Sequence, residues 1–152
     1  QMKLAEALIE RANLNREIAR IEARMSENAK VQEGDEPAES IEDLLPQYEN
    51  LMDSLERLII KINRTNGLAQ FENTTLAEAI TKRDCLKSKI RAYRELYEAA
   101  SISQDRYSNK EIRFVRCVDP AKLQSKIDSM SKVYRELDIK MQGTNWTVDL
   151  FE

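Results

Sequence analysis

Apolar residues return every three or four positions along four stretches of this chain, the spacing that keeps one face of a helix out of water. Leu14, Ile18, Ile21 and Met25 step by four, three and four; Leu4, Ala7 and Leu8 extend that face and Arg11 interrupts it. They predict a first helix over residues 3–29, broken afterwards by the acidic turn residues 32–37. Ile41, Leu44, Tyr48, Leu51, Leu55, Leu58 and Ile62 then alternate threes and fours without a gap, and Leu45, Met52 and Ile59 widen the stripe as a bundle core requires. A second helix over 40–63 follows, with Ser40 as N-cap and Asp43 three residues on as a relative of the capping box. Pro46 is the discordant residue: it either kinks the first turn or opens a helix that starts later.

After a polar connection from Asn63 to Thr74 that contains Gly67, Thr75 and Glu78 form a capping box for a third helix over 76–102. Ala79, Leu86, Ile90, Tyr93, Tyr97 and Ala100 carry its apolar face. A fourth helix over 120–142 has Asp119 as cap and Pro120 in its first turn, with Leu123, Ile127, Met130, Tyr134, Leu137 and Met141 as its stripe. Gly143 reads as the glycine just past its end. In the connection between the last two helices, residues 112–118 are β-prone and predict one short extended segment. The expected fold is all-α, an elongated antiparallel four-helix bundle or coiled coil forming a single domain over 1–152. Helices of ~25 residues are ~38 Å long, so a slender rod results. Its wide stripes leave apolar surface for a second copy, and a homo-oligomer, dimer or larger, is expected.

Composition changes this picture little. Three glycines, three prolines and 34% charged residues suit long helices. The absence of histidine matters more, because it removes Ser-His-Asp and Cys-His nucleophiles, the Glu-x-x-His di-iron site of many bundles and the usual zinc ligands. Three scattered glycines cannot build a phosphate loop. No enzyme activity, catalytic residue, metal or cofactor is expected. Two thiols, Cys85 and Cys117, are too few for a disulfide framework. Gln1, ahead of Met2, is set aside from the fold reading. Glu6 and Glu10 interrupt what would be the apolar core of a leader, and no run of ~18 apolar residues occurs. A cytoplasmic protein is the expectation.

Net charge is −3 but unevenly spread, with residues 1–60 at −7 and residues 61–152 at +4. In an up-down topology the first and third connections share one end. Glu33, Asp35, Glu36 and Glu39 are therefore expected to meet Arg106, Lys110, Arg113 and Arg116, in the same or a neighbouring subunit. Arg83, Lys87, Arg91 and Arg94 form a weak basic stripe on one helix face. No aromatic interleaves them for base stacking, and Arg91–Glu95 and Arg94–Glu98 are spaced as i,i+4 pairs, so nucleic acid is an unlikely partner. At the opposite end Asn63, Arg64 and Asn66 are expected near Trp146, either to hold an anion or partner loop or to cap helix ends with Trp146 as a lid. The long connection carrying Arg106, Tyr107, Lys110 and Arg113 is the candidate subunit interface, its extended piece pairing with a neighbour.

Four segments in succession resemble a small bacterial septicolysin-like family. They are Asn28-Ala29-Lys30-Val31-Gln32-Glu33-Gly34, Ile62-Asn63-Arg64-Thr65-Asn66, Asp105-Arg106-Tyr107-Ser108 with Ile112-Arg113-Phe114-Val115, and Asn145-Trp146-Thr147. The resemblance implies a coiled, all-helical protein, and the family's name implies an oxygen-labile cytolysin; it brings no catalytic residues. A membrane-active role would need a helix to leave the bundle. The polar face of residues 41–62 holds Glu42, Asp43, Glu49, Asp53 and Glu56, which anionic lipid would repel. The reading that results is a non-catalytic interaction or assembly protein of unknown function. The alternatives are a septicolysin-like membrane-active protein and, more weakly, a nucleic-acid accessory protein.

Overall fold

Extended backbone at Lys3 ends in a helix because the carboxylate at the third helical position folds back: Glu6 Oε1 accepts from the Lys3 amide at 3.1 Å. This helix, α1, spans Leu4–Glu27. It stops at Asn28, whose side-chain Nδ2 donates to the Arg24 carbonyl at 2.8 Å and whose Oδ1 accepts from the Glu39 amide at 2.9 Å. One buried amide thus closes the helix and holds the following loop against it. Within that loop Gly34 adopts a positive φ of 93°, and the Asp35 amide donates to the Gln32 carbonyl at 3.0 Å. A turn of this kind suits glycine, which has no Cβ to clash there.

Helix α2 spans Ile41–Leu68 and ends five residues beyond the predicted 63. Ser40 precedes it without the expected side-chain cap; its carbonyl instead accepts from the Asp43 and Leu44 amides, each at 3.1 Å. Pro46 lies inside α2 and not at its start. Its ring removes the bond it would have donated to Glu42, a loss confined to the second turn. Gly67 is helical as well, so residues 63–68 are not a connection. A tight hairpin follows, β1 (Gln70–Phe71) pairing antiparallel with β2 (Thr74–Thr75), Gln70 opposite Thr75 and Phe71 opposite Thr74. Glu72 in its turn takes a left-handed φ of 50°.

Helix α3 spans Leu76–Ala99 and helix α4 spans Pro120–Thr147. Asp119 caps α4 as its chemistry predicts: Oδ1 accepts from the Ala121 amide at 3.0 Å, and Pro120 occupies the first position, where no amide is needed. Gly143 does not end the helix; α4 runs through it for four further residues.

The structure, a computed structural model, describes residues 1–101 and 112–152. Among the described residues four helices and one hairpin of two-residue strands make the fold all-α. Residues 112–116 belong to no strand within the chain, and among the described residues the paired strands are β1 and β2.

The chain divides into two compact units, residues 1–76 with 142–152, and residues 77–141. In the first, α1 and α2 run antiparallel, with Ile18, Ile21, Leu44, Leu55, Leu58 and Ile62 buried on the faces the periodicity marks. The two chain ends join this unit. Leu4 donates its amide to the Val148 carbonyl and Leu150 donates to Met2, both at 2.8 Å, and Lys3 and Asp149 pair antiparallel between them. Gln1 is part of this clasp, its Nε2 donating to the Leu150 carbonyl at 3.3 Å. In the second unit α3 and α4 are also antiparallel, Arg83 reaching Asp138 at 3.3 Å. Ala79, Ile90, Ile127, Met130 and Met141 are buried, whereas Leu86, Tyr93, Tyr97, Tyr134 and Leu137 are only half-buried.

Candidate functional site

The residues expected to cluster at one end of the molecule belong to the first unit. Asn63 and Arg64 are exposed and Asn66 is half-buried, all on the last turns of α2. Trp146 sits in the last turn of α4 with 56% of its surface in water, so it is not a lid. The work of closing this end falls to Thr65, which is 2% exposed. Its hydroxyl donates to the Lys61 carbonyl at 2.8 Å and accepts the Phe151 amide at 2.7 Å, tying the C-terminal tail to α2. Periodicity missed it because threonine at a stripe position reads as a polar interruption. The signal was present: Thr65 stands three residues after Ile62.

Lys3 Nζ lies 2.7 Å from Asp149, a bond that holds the Asp149 carboxyl below its usual range. Arg24 clasps Glu39 through two nitrogens on one edge of its guanidinium, Nε donating to Oε2 at 2.9 Å and Nη2 to Oε1. The hydrogen bond from Arg24 lowers Glu39, and the same contact raises Arg24. Glu39 of the acidic loop and Arg116 of the later basic connection each have a partner within their own unit. Glu39 is engaged by Arg24, and Arg116 donates Nε to the Ala100 carbonyl at 3.0 Å. Arg106, Tyr107 and Lys110 lie outside the described residues; Arg113 is exposed.

Beside Arg113 stands an apolar run with no cover among the described residues. Ile112, Phe114 and Val115 are 86%, 83% and 81% exposed. Cys117 and Cys85 are free thiols, both exposed.

The basic stripe on α3 does more than face solvent. Lys87, Arg91 and Arg94 line one wall of a cleft of about 770 Å³ between α3 and α4, and Arg135 lines the other. Ile90 and Tyr134 supply apolar surface, while Asp84, Glu95 and Glu98 supply negative charge. The expected Arg91–Glu95 and Arg94–Glu98 ion pairs do not form: among the described residues the four cations of the cleft make no salt bridge. Arg83, fourth member of the predicted stripe, is instead held by Asp84 and Asp138. Ser131, which lines the cleft, has a buried Oγ with no hydrogen-bond partner among the described residues.

Residues 11–150 match the family described as a family of unknown function, DUF6847. The chain belongs to that family. This overturns the septicolysin-like resemblance on which the cytolysin alternative rested, since the segments that carried the likeness fall within a family of a different description. The fold has a solved relative as well. A crystal structure of a functionally unknown conserved protein from Corynebacterium diphtheriae is 39% identical and superposes with a TM-score of 0.89, covering 98% of each chain. No curated protein matches the chain. Among the described residues no helix of this family member is long and apolar enough to cross a membrane.

Proposed function

We propose that this member of the family is a non-catalytic interaction protein that assembles with a second copy of itself, in the cytoplasm, through residues 112–115. The observation that carries this reading is the unbroken exposure of Ile112, Phe114 and Val115 beside Arg113. A contiguous apolar surface of this kind is costly in a lone soluble chain and is ordinarily buried by a partner. The backbone of residues 112–116 is in no sheet, and strand pairing with the same segment of a neighbour would give its amides and carbonyls partners. Self-pairing satisfies both chains by one symmetric contact.

Light scattering on the eluting full-length chain tests it. Wild type is expected as a dimer or larger and Phe114→Ser/Val115→Ser as a monomer with an unchanged helical spectrum. A monomeric wild type, or an oligomer indifferent to both changes, would overturn the reading.

A further inference from the structure

We propose that the α3–α4 cleft is a binding site for a small phosphorylated molecule, with Arg91, Arg94 and Arg135 holding the phosphate. Three observations converge on it. First, the cleft's volume of about 770 Å³ falls within the range of sites that enclose small ligands. Second, its guanidiniums come from two facing helices and make no ion pair among the described residues, although carboxylates lie on the same walls. Cations left unpaired beside acids are available to an incoming anion, and planar guanidiniums bind phosphate through paired hydrogen bonds that an ammonium cannot offer.

Third, Ser131 Oγ is withdrawn from water at the cleft and has no partner among the described residues. A buried hydroxyl left unbonded costs about 1–3 kcal/mol, a cost removed when the side chain rotates about χ1 to donate to a ligand oxygen in the cleft.

The same lining decides the class of anion. Lys87, Arg91, Arg94 and Arg135 against Asp84, Glu95 and Glu98 leave one net positive charge, with both signs present along the groove. A long polyanion tracking the groove would pass the three carboxylates and be repelled, whereas a single dianionic phosphate can occupy the guanidinium end alone. Ile90 and Tyr134 give the body of the molecule an apolar surface to lie against, so an organic phosphate is favoured over the inorganic ion.

The test is an amide-resolved NMR titration of the full chain with phenyl phosphate, inorganic phosphate, phenol and heparin as separate probes. Phenyl phosphate is expected to shift amides of residues 87–94 and 131–135 and to bind more tightly than inorganic phosphate or phenol. Arg91→Gln/Arg135→Gln should weaken it by about ten-fold or more, as loss of charge-assisted bonds does. Ser131→Ala should weaken it by a smaller factor, and Arg57→Gln on α2 should leave it unchanged. All four substitutions are conservative in size or exposed, and an unchanged helical spectrum confirms that each variant is folded. No shift at millimolar phenyl phosphate, a shift insensitive to the double substitution, or a response to heparin alone would overturn the proposal.

Discussion

The two units of this molecule treat buried polar groups in opposite ways. In the unit of α1 and α2, Asn28 and Thr65 are both buried and both fully engaged, each joining a helix to a distant segment of backbone. In the unit of α3 and α4, the Ser131 hydroxyl is buried without a partner and four cations line a cleft without a salt bridge among the described residues. Satisfied polar groups fasten a fold; unsatisfied ones are stable positions only where something else completes them. The first unit is thus built for cohesion, and the second keeps its bonding capacity open. The long exposed apolar side chains divide less sharply, but Ile112, Phe114 and Val115, the barest of them, belong to the second.

Core truncation should show the largest contrast. Ile62 is completely buried on α2, and Ile62→Ala is expected to lower unfolding stability by roughly 2–5 kcal/mol, transfer and cavity terms together. Leu86 lies on the apolar stripe of α3 but is only half-buried, and Leu86→Ala should cost about 1 kcal/mol. Urea unfolding of the two variants gives the comparison directly. Equal losses would remove the distinction between a tight unit and a loose one.

The next effect is smaller and more local. Thr65→Val keeps the shape of the side chain but takes away the acceptor of the Phe151 amide. Phe151 itself is half exposed, so its freed amide can reach water and the loss should stay at roughly 1 kcal/mol, the lower end for an abandoned hydrogen bond. Hydrogen exchange reads it where the melting curve is insensitive: Phe151, Leu150 and Leu4 should exchange faster, while amides of α3 keep their wild-type rates. Thr65→Ser should restore protection. Uniform acceleration across both units would mean that the clasp is not a separate fastening.

Much of this was legible in the residues. The principal stripe positions on all four helices are buried or half-buried, whereas Leu45 and Met52, expected to widen the α2 stripe, are exposed, and Asp119 caps α4 as its side chain dictates. What local pattern could not supply was long-range backbone pairing. Lys3 and Asp149 are matched by strand-like bonds that leave no periodicity in either segment, and Gln1 was set aside altogether. Gly67 and Gly143 misled in another way. A helical glycine costs only about 1 kcal/mol relative to alanine, which a helix already committed on both sides absorbs; a Cβ at either position would meet nothing within 4 Å. Ser40 has the composition of a cap but does not use its hydroxyl. For the candidate sites the residue types were found and their relations were not. The stripe of cations became a cleft only when α4 brought Arg135, Ser131 and Tyr134 opposite it, an adjacency across helices that no spacing within α3 encodes. Trp146, expected to seal an end, is solvated, because Thr65 and the tail close that end without it.

Acid titration offers the smallest effect and the finest test of the contrast. Glu39 beside Arg24 and Asp149 beside Lys3 both titrate below their ordinary values of 4.5 and 3.8 in the folded chain, chiefly through the hydrogen bonds that the cations donate. The unfolded chain therefore binds protons first as pH falls, and stability must decline with it. The contribution of each pair is fully present above its ordinary value and vanishes as pH drops through the lowered folded one. Both pairs lie at the surface, so the effect is modest and shrinks with added salt. Glu39→Gln/Asp149→Asn should melt below wild type at neutral pH and approach it as the solution is taken below about pH 4, where the wild-type carboxylates are themselves becoming neutral. Both pairs belong to the first unit, so the change in amide protection that accompanies this titration should centre on residues 24–39 and on the paired termini. A gap between variant and wild type that stays constant down to acid pH would show that the substitutions act by packing and not by charge.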